Sequence, residues 1–317
     1  MAEAAIRTAG LTKDYGAGRG LFDLDLEVPP GEVFGFLGPN GAGKTTTIRL
    51  LMGLIRPTRG AATVFGLDAH AQAVEVKRRV GFVPGELPQF GGLAGSEIVA
   101  HLAALRGGVD RAHVASLTER LGLDLGRKYR EYSRGNKQKL ALVLAFMHRP
   151  DLLILDEPTG GLDPLNQQTF YGLVREARAA GATFFLSSHV LSEIEHVCDR
   201  VGIIRAGRLV RAAGLHALQQ LRVRHVTLEF AGPPPTELIC AAPGVDSVVA
   251  SGTRLTCTVS GTFDGLLAAL AGQRVVSLDS EEPSLEDLFL TYYSDNGAPS
   301  SAGSPAVSAD TAARSAP

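Results

Sequence analysis

Cysteine is scarce in this chain of 317 residues: Cys198, Cys240 and Cys257 form no C-x-x-C pair and do not cluster in sequence. That excludes a disulfide scaffold and a paired-cysteine metal site, and an odd, sparse set fits a reducing compartment. Neither sign of charge is in excess. Thirty-one basic side chains meet 33 acidic ones for a net charge of -2, so the overall balance calls for no nucleic-acid partner. Long hydrophobic runs are missing as well. No window reaches the roughly 18 apolar residues of a membrane span, and the longest apolar stretch, residues 140–147, is short and flanked by charge. The opening MAEAAIRTAG lacks a basic run followed by an apolar stretch, so no secretory signal is expected there. Any link to a membrane is therefore expected to run through a partner protein or a surface contact.

Apolar residues make up 45% of the chain and charged residues 20%, the balance of a soluble protein with one large core and room for a smaller domain. Val33–Leu37, VFGFL, reads as a strand running into a glycine-rich turn. Ile48, Leu51, Met52 and Ile55 then follow at helical spacing, with Pro57 and Gly60 expected to end the helix. Further strands are expected at 152–155, 183–186 and 201–204, with helices over 165–180 and 191–199 between them. Continuously apolar strands alternating with helices predict a mostly parallel sheet covered on both faces. The stretch 93–149, broken by Gly107, Gly108, Gly122 and Gly126, reads as a helical insertion between sheet strands. From about residue 222 the rhythm changes to short strands (VTLEF, VDSVV, LTCTV, VVSLD), with helices expected near 235–240, 263–271 and 285–293. The order strand, helix, strand, strand, helix, strand suggests a small two-layer α+β domain of ferredoxin-like type. Three parts are thus expected: a domain over 1–221 with its helical subdomain at 93–149, an accessory domain over 222–293, and a tail over 294–317 with little to bury.

Gly38, Pro39, Asn40, Gly41, Ala42, Gly43, Lys44 and Thr45 spell G-x-x-x-x-G-K-[ST] with a strand before and a helix after. Glycines let successive N–H groups turn toward one phosphate, and the helix start adds unpaired donors and partial positive charge. Lys44 is expected to reach the β- and γ-phosphates, and Thr45 to place a hydroxyl on Mg²⁺, with Thr46 beside it in the nucleotide-binding set. The strand LLIL ends in Asp156, Glu157 and Pro158. A strand end in an open α/β sheet is where ligands bind. Asp156 is expected to hold Mg²⁺. Glu157 is expected to point the other way, because strand side chains alternate, and to orient or deprotonate an attacking water.

With these motifs in place the sequence resembles the ATP-binding subunits of ABC transporters over about residues 5–215. Further elements fall in the family's order. Tyr132, Ser133, Arg134, Gly135 and Asn136 occupy the signature position, Gly161, Leu162 and Asp163 resemble the D-loop, His189 the switch histidine, and Tyr15 the aromatic that stacks on adenine. The fold this implies is α/β, a P-loop NTPase of ABC type. The resemblance is nearer to the daunorubicin-resistance ATPase group, which pairs with a separate ABC-2 type permease and often carries a C-terminal extension ending like Ser284 to Leu290. It implies an ATPase with ATP and Mg²⁺ as ligands, powering an exporter from the cytoplasmic face of the membrane. It also implies a head-to-tail homodimer in which each ATP lies between the phosphate loop of one subunit and Ser133 and Gly135 of the other. An importer ATPase, or a non-transport ATPase acting on ribosomes or DNA, is the alternative reading. The family places a glutamine after a strand like 80–84, but here the register puts Gly85 there, with Glu86 next and Gln89 four positions late. The basic stretch 127–139 reads equally as a permease- or membrane-facing surface and as a solvated face. An aromatic packed at a sheet edge is the other reading of Tyr15. Cys198 is expected to be buried, and His196 to sit on a helix surface.

Overall fold

The computed structural model describes residues 3–215 and 223–281. Its contacts divide the chain into two compact units, residues 1–221 and 222–317. The helix expected over 285–293, the segment from Ser284 to Leu290 and the tail over 294–317 lie outside the described residues.

In chain order the first unit begins with β1 (Ile6–Asp14), β2 (Gly20–Val28), β3 (Val33–Leu37), α1 (Lys44–Leu51), β4 (Arg59–Val64) and β5 (Leu67–Asp68). It continues with α2 (Ala73–Arg79), β6 (Val80–Val83), α3 (Gly95–Leu105), α4 (Arg111–Arg120) and α5 (Arg134–Phe146). After these come β7 (Leu152–Asp156), α6 (Pro164–Ala179), β8 (Thr183–Ser188), α7 (Leu191–Val197), β9 (Arg200–Arg205) and β10 (Arg208–Gly214). Among the described residues the strands form two sheets. One is antiparallel, in the order β2-β1-β4-β5. The other runs β10-β9-β3-β8-β7-β6, parallel throughout except where β10 pairs with β9.

Every residue of β3, β7 and β8 is buried, as strands covered on both faces require. In β2 burial alternates instead: Leu24, Leu26 and Val28 point inward, Asp25 and Glu27 outward. The antiparallel sheet and the helix-flanked sheet share one core, in which Leu24, Leu26, Phe34, Phe36, Ile48 and Phe185 pack together. Register fixes where the strands end. Val33 pairs with Phe184 and Leu37 with Ser188, while Leu152 pairs with Thr183 and Asp156 with Ser187. The turn after β3, the carboxylate ending β7 and the serines ending β8 thus emerge at one edge.

The helix after the phosphate loop is shorter than the apolar spacing predicts. It ends at Leu51, not near Pro57, because Gly53 takes a left-handed φ of 59°. The Leu54 N–H then bonds back to the Arg49 carbonyl at 2.8 Å and the Gly53 N–H to the Leu50 carbonyl at 3.0 Å, closing a Schellman cap. In the insertion, α4 is capped by Asp110 and α5 by Ser133, whose Oγ accepts from the Asn136 N–H at 3.2 Å.

The second unit, taken by itself, has β11 (Val223–Phe230), α8 (Thr236–Cys240), β12 (Val245–Ser251), β13 (Arg254–Ser260), α9 (Asp264–Leu270) and β14 (Val275–Glu281). The strands lie in the order β12-β13-β11-β14, antiparallel throughout. Val226, Leu228, Leu255 and Val259 pack beneath Ile239 of α8 and Leu266 of α9. This is a two-layer α+β sandwich of ferredoxin-like topology.

His148, in the turn between α5 and β7, has both ring nitrogens buried, and among the described residues neither makes a well-formed hydrogen bond. Burial first, and then the nearby Arg106 guanidinium, push its pKa down to about 4. Between pH 6.5 and 4 the unfolded chain therefore binds more protons at this ring than the folded one. This contribution to stability is complete above pH 6.5 and is lost as pH falls through that window. Discounted for partial exposure, it amounts to about 2 kcal/mol. His148→Met should accordingly lose less stability than wild type between pH 6.5 and pH 4 in denaturant titrations, with the difference vanishing above pH 7.

Candidate functional site

At Gly38 the turn after β3 approaches neighbouring backbone so closely that a side chain is excluded. A Cβ on Gly38 would lie 2.3 Å from the Ile204 carbonyl oxygen, and Gly43, at the start of α1, has a φ of 112°. With glycine at the cap and no acid in the first turn, no side-chain cap among the described residues competes for the amides there. The Lys44 side chain is buried in the loop, its ammonium donating to the Gly38 carbonyl at 2.7 Å and the Pro39 carbonyl at 3.2 Å. Beside it the Thr45 hydroxyl donates to Asp156 Oδ2 at 2.8 Å. Ser187 Oγ donates to the other oxygen, Oδ1, so the buried Asp156 carboxylate is held from both sides.

Glu157 departs from the alternation expected of it. It has left the strand and takes a φ of 50°, a left-handed conformation uncommon for glutamate. Its N–H donates to the Ser187 carbonyl at 3.1 Å. Its side chain therefore swings beside the phosphate loop, with Oε1 3.0 Å from His189 Nδ1 and 3.6 Å from Lys44 Nζ. Two anchors escaped the sequence reading. Gln138 of α5 is buried and donates from Nε2 to the Pro158 carbonyl at 2.8 Å. Glu193 of α7 accepts from the Thr159 hydroxyl and from the Ser188 hydroxyl, each at 2.5 Å. Gln138 lies 20 residues before Pro158 and Glu193 lies 34 residues after Thr159, so only the register of the strands reveals these two contacts.

Lys44, Thr45, Asp156, Glu157 and His189 thus converge. Among the described residues no hydrogen bond or ion pair links Tyr15, Ser133, Gly135 or Asp163 to that cluster. Tyr15 is 48% exposed, with the Lys13 ammonium 5.6 Å from its ring centre. Ser133 caps α5. Gly135 packs so closely that a Cβ would sit 2.8 Å from the Gly161 carbonyl oxygen. Asp163 caps α6, and the Asn166 backbone N–H, followed by the Asn166 side chain, holds its carboxyl below the usual range. Gly85 abuts the cluster: a Cβ there would stand 2.7 Å from Asp156 Oδ2, while Glu86 and Gln89 are exposed. Cys198 is buried, and His196 lies exposed against the Tyr171 ring, 5.0 Å between ring centres.

The described residues hold no group of three or more histidine, cysteine, aspartate or glutamate side chains able to bind a metal by themselves. What the site offers is one hydroxyl and one carboxylate side by side. These are hard oxygen donors, of the kind that suits Mg²⁺ shared with phosphate oxygens and water.

Residues 21–160 match the ABC transporter family. Over 229 residues the chain is 40% identical to the bacitracin transport ATP-binding protein BcrA of Bacillus licheniformis, covering 71% of this chain and 74% of that one. Over 293 residues it is 34% identical to the Nod factor export ATP-binding protein I of Cupriavidus pinatubonensis, covering 90% of each. The chain belongs to the ABC transporter ATP-binding family. A solved ATP-binding subunit of an ABC transporter superposes on this ABC cassette with a TM-score of 0.63 and 31% identity, over 68% of this chain and 92% of that one. The fold is the P-loop NTPase of ABC type with a helical insertion.

For this cassette, Lys44→Ala should weaken ATP binding roughly 10- to 100-fold, the value of a charged hydrogen bond at the phosphates. Titration of a fluorescent ATP analogue at saturating Mg²⁺ reads this directly, and wild-type affinity would reject the assignment of Lys44 to the phosphates.

Proposed function

We propose that this chain binds ATP with Mg²⁺ and hydrolyses it to drive an exporter through a separate ABC-2 type permease. The observation that carries the reading is the placement of the Glu157 carboxylate between Lys44 and His189 at the mouth of the phosphate loop. Residues 38–46 would wrap the phosphates, with the Lys44 ammonium turning from the Gly38 and Pro39 carbonyls to the β- and γ-oxygens. Thr45 and Asp156 would hold Mg²⁺, which neutralises phosphate charge when bound. Glu157 would accept a proton from the attacking water, and His189 would fix the carboxylate and touch the γ-phosphate. Tyr15 would stack on adenine.

Among the described residues no hydrogen bond ties Ser133 or Gly135 to Lys44, and both sit where α5 begins, with donors to spare for an anion. We therefore assign them to the γ-phosphate of a second subunit in a head-to-tail homodimer, with Asp163 at the same junction. Transport in the name of BcrA favours a transporter over a ribosome- or DNA-directed ATPase, and export in the name of the Nod factor protein favours an exporter over an importer. Among the described residues no helix is long and apolar enough to cross a membrane, so attachment to the inner face of the cell membrane would come through the permease. A mostly apolar hollow of about 250 Å³, lined by Phe82, Leu87, Phe90, Leu102 and Leu144 together with Lys137, offers a seat for it. The second unit, with the stretch to residue 293, is read as an accessory domain.

Glu157→Gln should bind ATP yet turn it over about 10²- to 10⁴-fold more slowly, the usual cost of a missing general base. The amide keeps the volume and removes negative charge beside the phosphates, so the ATP-bound dimer should accumulate. Light scattering with ATP and Mg²⁺, alongside phosphate release, tests both parts. Wild-type turnover would remove Glu157 from the chemistry, and an inactive monomer at saturating ATP would count against a self-sufficient sandwich.

A further inference from the structure

We infer that Glu193 is a positioning residue for hydrolysis: its carboxylate fastens the loop carrying Glu157 to the loop carrying His189. The inference rests on the assignment of Glu157 as the base. Glu193 lies in the first turn of α7, and among the described residues no hydrogen bond or ion pair links it to Lys44, Thr45 or Asp156. Each of its oxygens takes one hydroxyl. Oε1 accepts from Thr159, two residues beyond Glu157, and Oε2 accepts from Ser188, the residue before His189, both at 2.5 Å. Both hydroxyls are buried, at 3% and 1% exposure, so neither has water to replace the carboxylate.

The Ser188 hydroxyl has a single proton and two acceptors in reach. Charge and distance send it to the Glu193 carboxylate and not to the Val190 carbonyl at 3.1 Å. Its oxygen then accepts from the Val190 N–H at 2.9 Å, which closes a turn around His189. On the other side, the Thr159 carbonyl accepts from the Leu162 N–H at 3.0 Å, so the same clamp sets the start of the segment leading to Asp163. The contact between Glu157 Oε1 and His189 Nδ1 at 3.0 Å joins two loops from different strands. Glu157 also holds an unfavourable backbone angle. Such a contact persists only if something outside it over-determines both loops, and Glu193 is bonded to both.

The test uses the full-length chain and steady-state phosphate release with ATP and Mg²⁺. Glu193→Ala should lower kcat by roughly 10- to 100-fold while KM for ATP changes less than about threefold, because the phosphate grip is untouched. Glu193→Gln should recover kcat to within about fivefold of wild type. The amide oxygen accepts from Thr159, the amide N–H donates to Ser188, and the Ser188 proton moves to the Val190 carbonyl. Thr159→Val, which removes the hydroxyl at constant volume, should lower kcat in the same sense and should not add to Glu193→Ala. Thr159→Val carries the test alone if Glu193→Ala does not fold. Wild-type kcat in Thr159→Val or in a folded Glu193→Ala overturns the inference, as does a loss confined to KM. A Glu193→Gln as impaired as the alanine variant overturns it too, since proton transfer or charge would then be what matters. Glu157→Gln assayed in parallel separates the two ideas. If Glu157→Gln is inactive while Glu193→Ala is normal, only the Glu193 inference falls; if Glu157→Gln is active, the assignment of the base falls.

Discussion

The tie between Asp156, Ser187 and Thr45 is the constraint on which the rest of the first unit depends. A carboxylate 2% exposed must have its lone pairs satisfied. Here one oxygen is met by the hydroxyl at the end of the neighbouring strand and the other by the first turn of the helix that follows the phosphate loop. Each partner is delivered only if β7 and β8 pair in the observed register and α1 starts at Lys44. A shift of one residue would turn every side chain of a strand to the opposite face and leave the carboxylate unpaired. One buried acid thus locks strand register, loop conformation and helix start together.

Around that tie the site is built from two kinds of element. The phosphate loop is fixed at its start by close packing, with the Gly38 backbone pressed against the Ile204 carbonyl. The loops after β7 and β8 are held by side chains: Gln138 reaching from the helical insertion, Glu193 from α7, and the Ser187 hydroxyl from the adjacent strand, which accepts from the Glu157 N–H. Gln138 gives the insertion a direct hold on the backbone beside Glu157. The helix that Ser133 caps and the loop that carries the glutamate therefore share one buried hydrogen bond within a single chain.

The strand–loop–helix around Lys44 was legible because its signal is local: glycines, a lysine and a threonine at fixed spacing between an apolar strand and an apolar helical stripe. The buried strands LLIL and TFFL were legible for the same reason, and so was the strand and helix order of the second unit. Where the reading failed, geometry outran local pattern. Gly53 ended α1 although apolar residues continued at helical spacing. Alternation misplaced Glu157 because strand geometry stops one residue earlier. The antiparallel sheet made by β1, β2, β4 and β5 went unread because its pairings span up to some tens of residues and leave no mark in any one window. Gln138 and Glu193 look like ordinary polar residues on helices until the fold sets them beside their partners.

The backbone angle at Glu157 has a consequence for how such a chain changes over generations. Left-handed φ costs a glutamate on the order of 1–2 kcal/mol, a penalty that glycine escapes and asparagine feels less. Random drift under selection for folding alone would therefore favour the small residue at this position, and the gain would be felt in every molecule whether or not it met nucleotide. On the proposed role of Glu157 as the base, retaining the acid requires a pressure that acts on turnover and outweighs the folding advantage. Position 157 is thus one where robustness and activity pull in opposite directions, and where relaxed selection would first leave a cassette that folds better than its ancestor and does less.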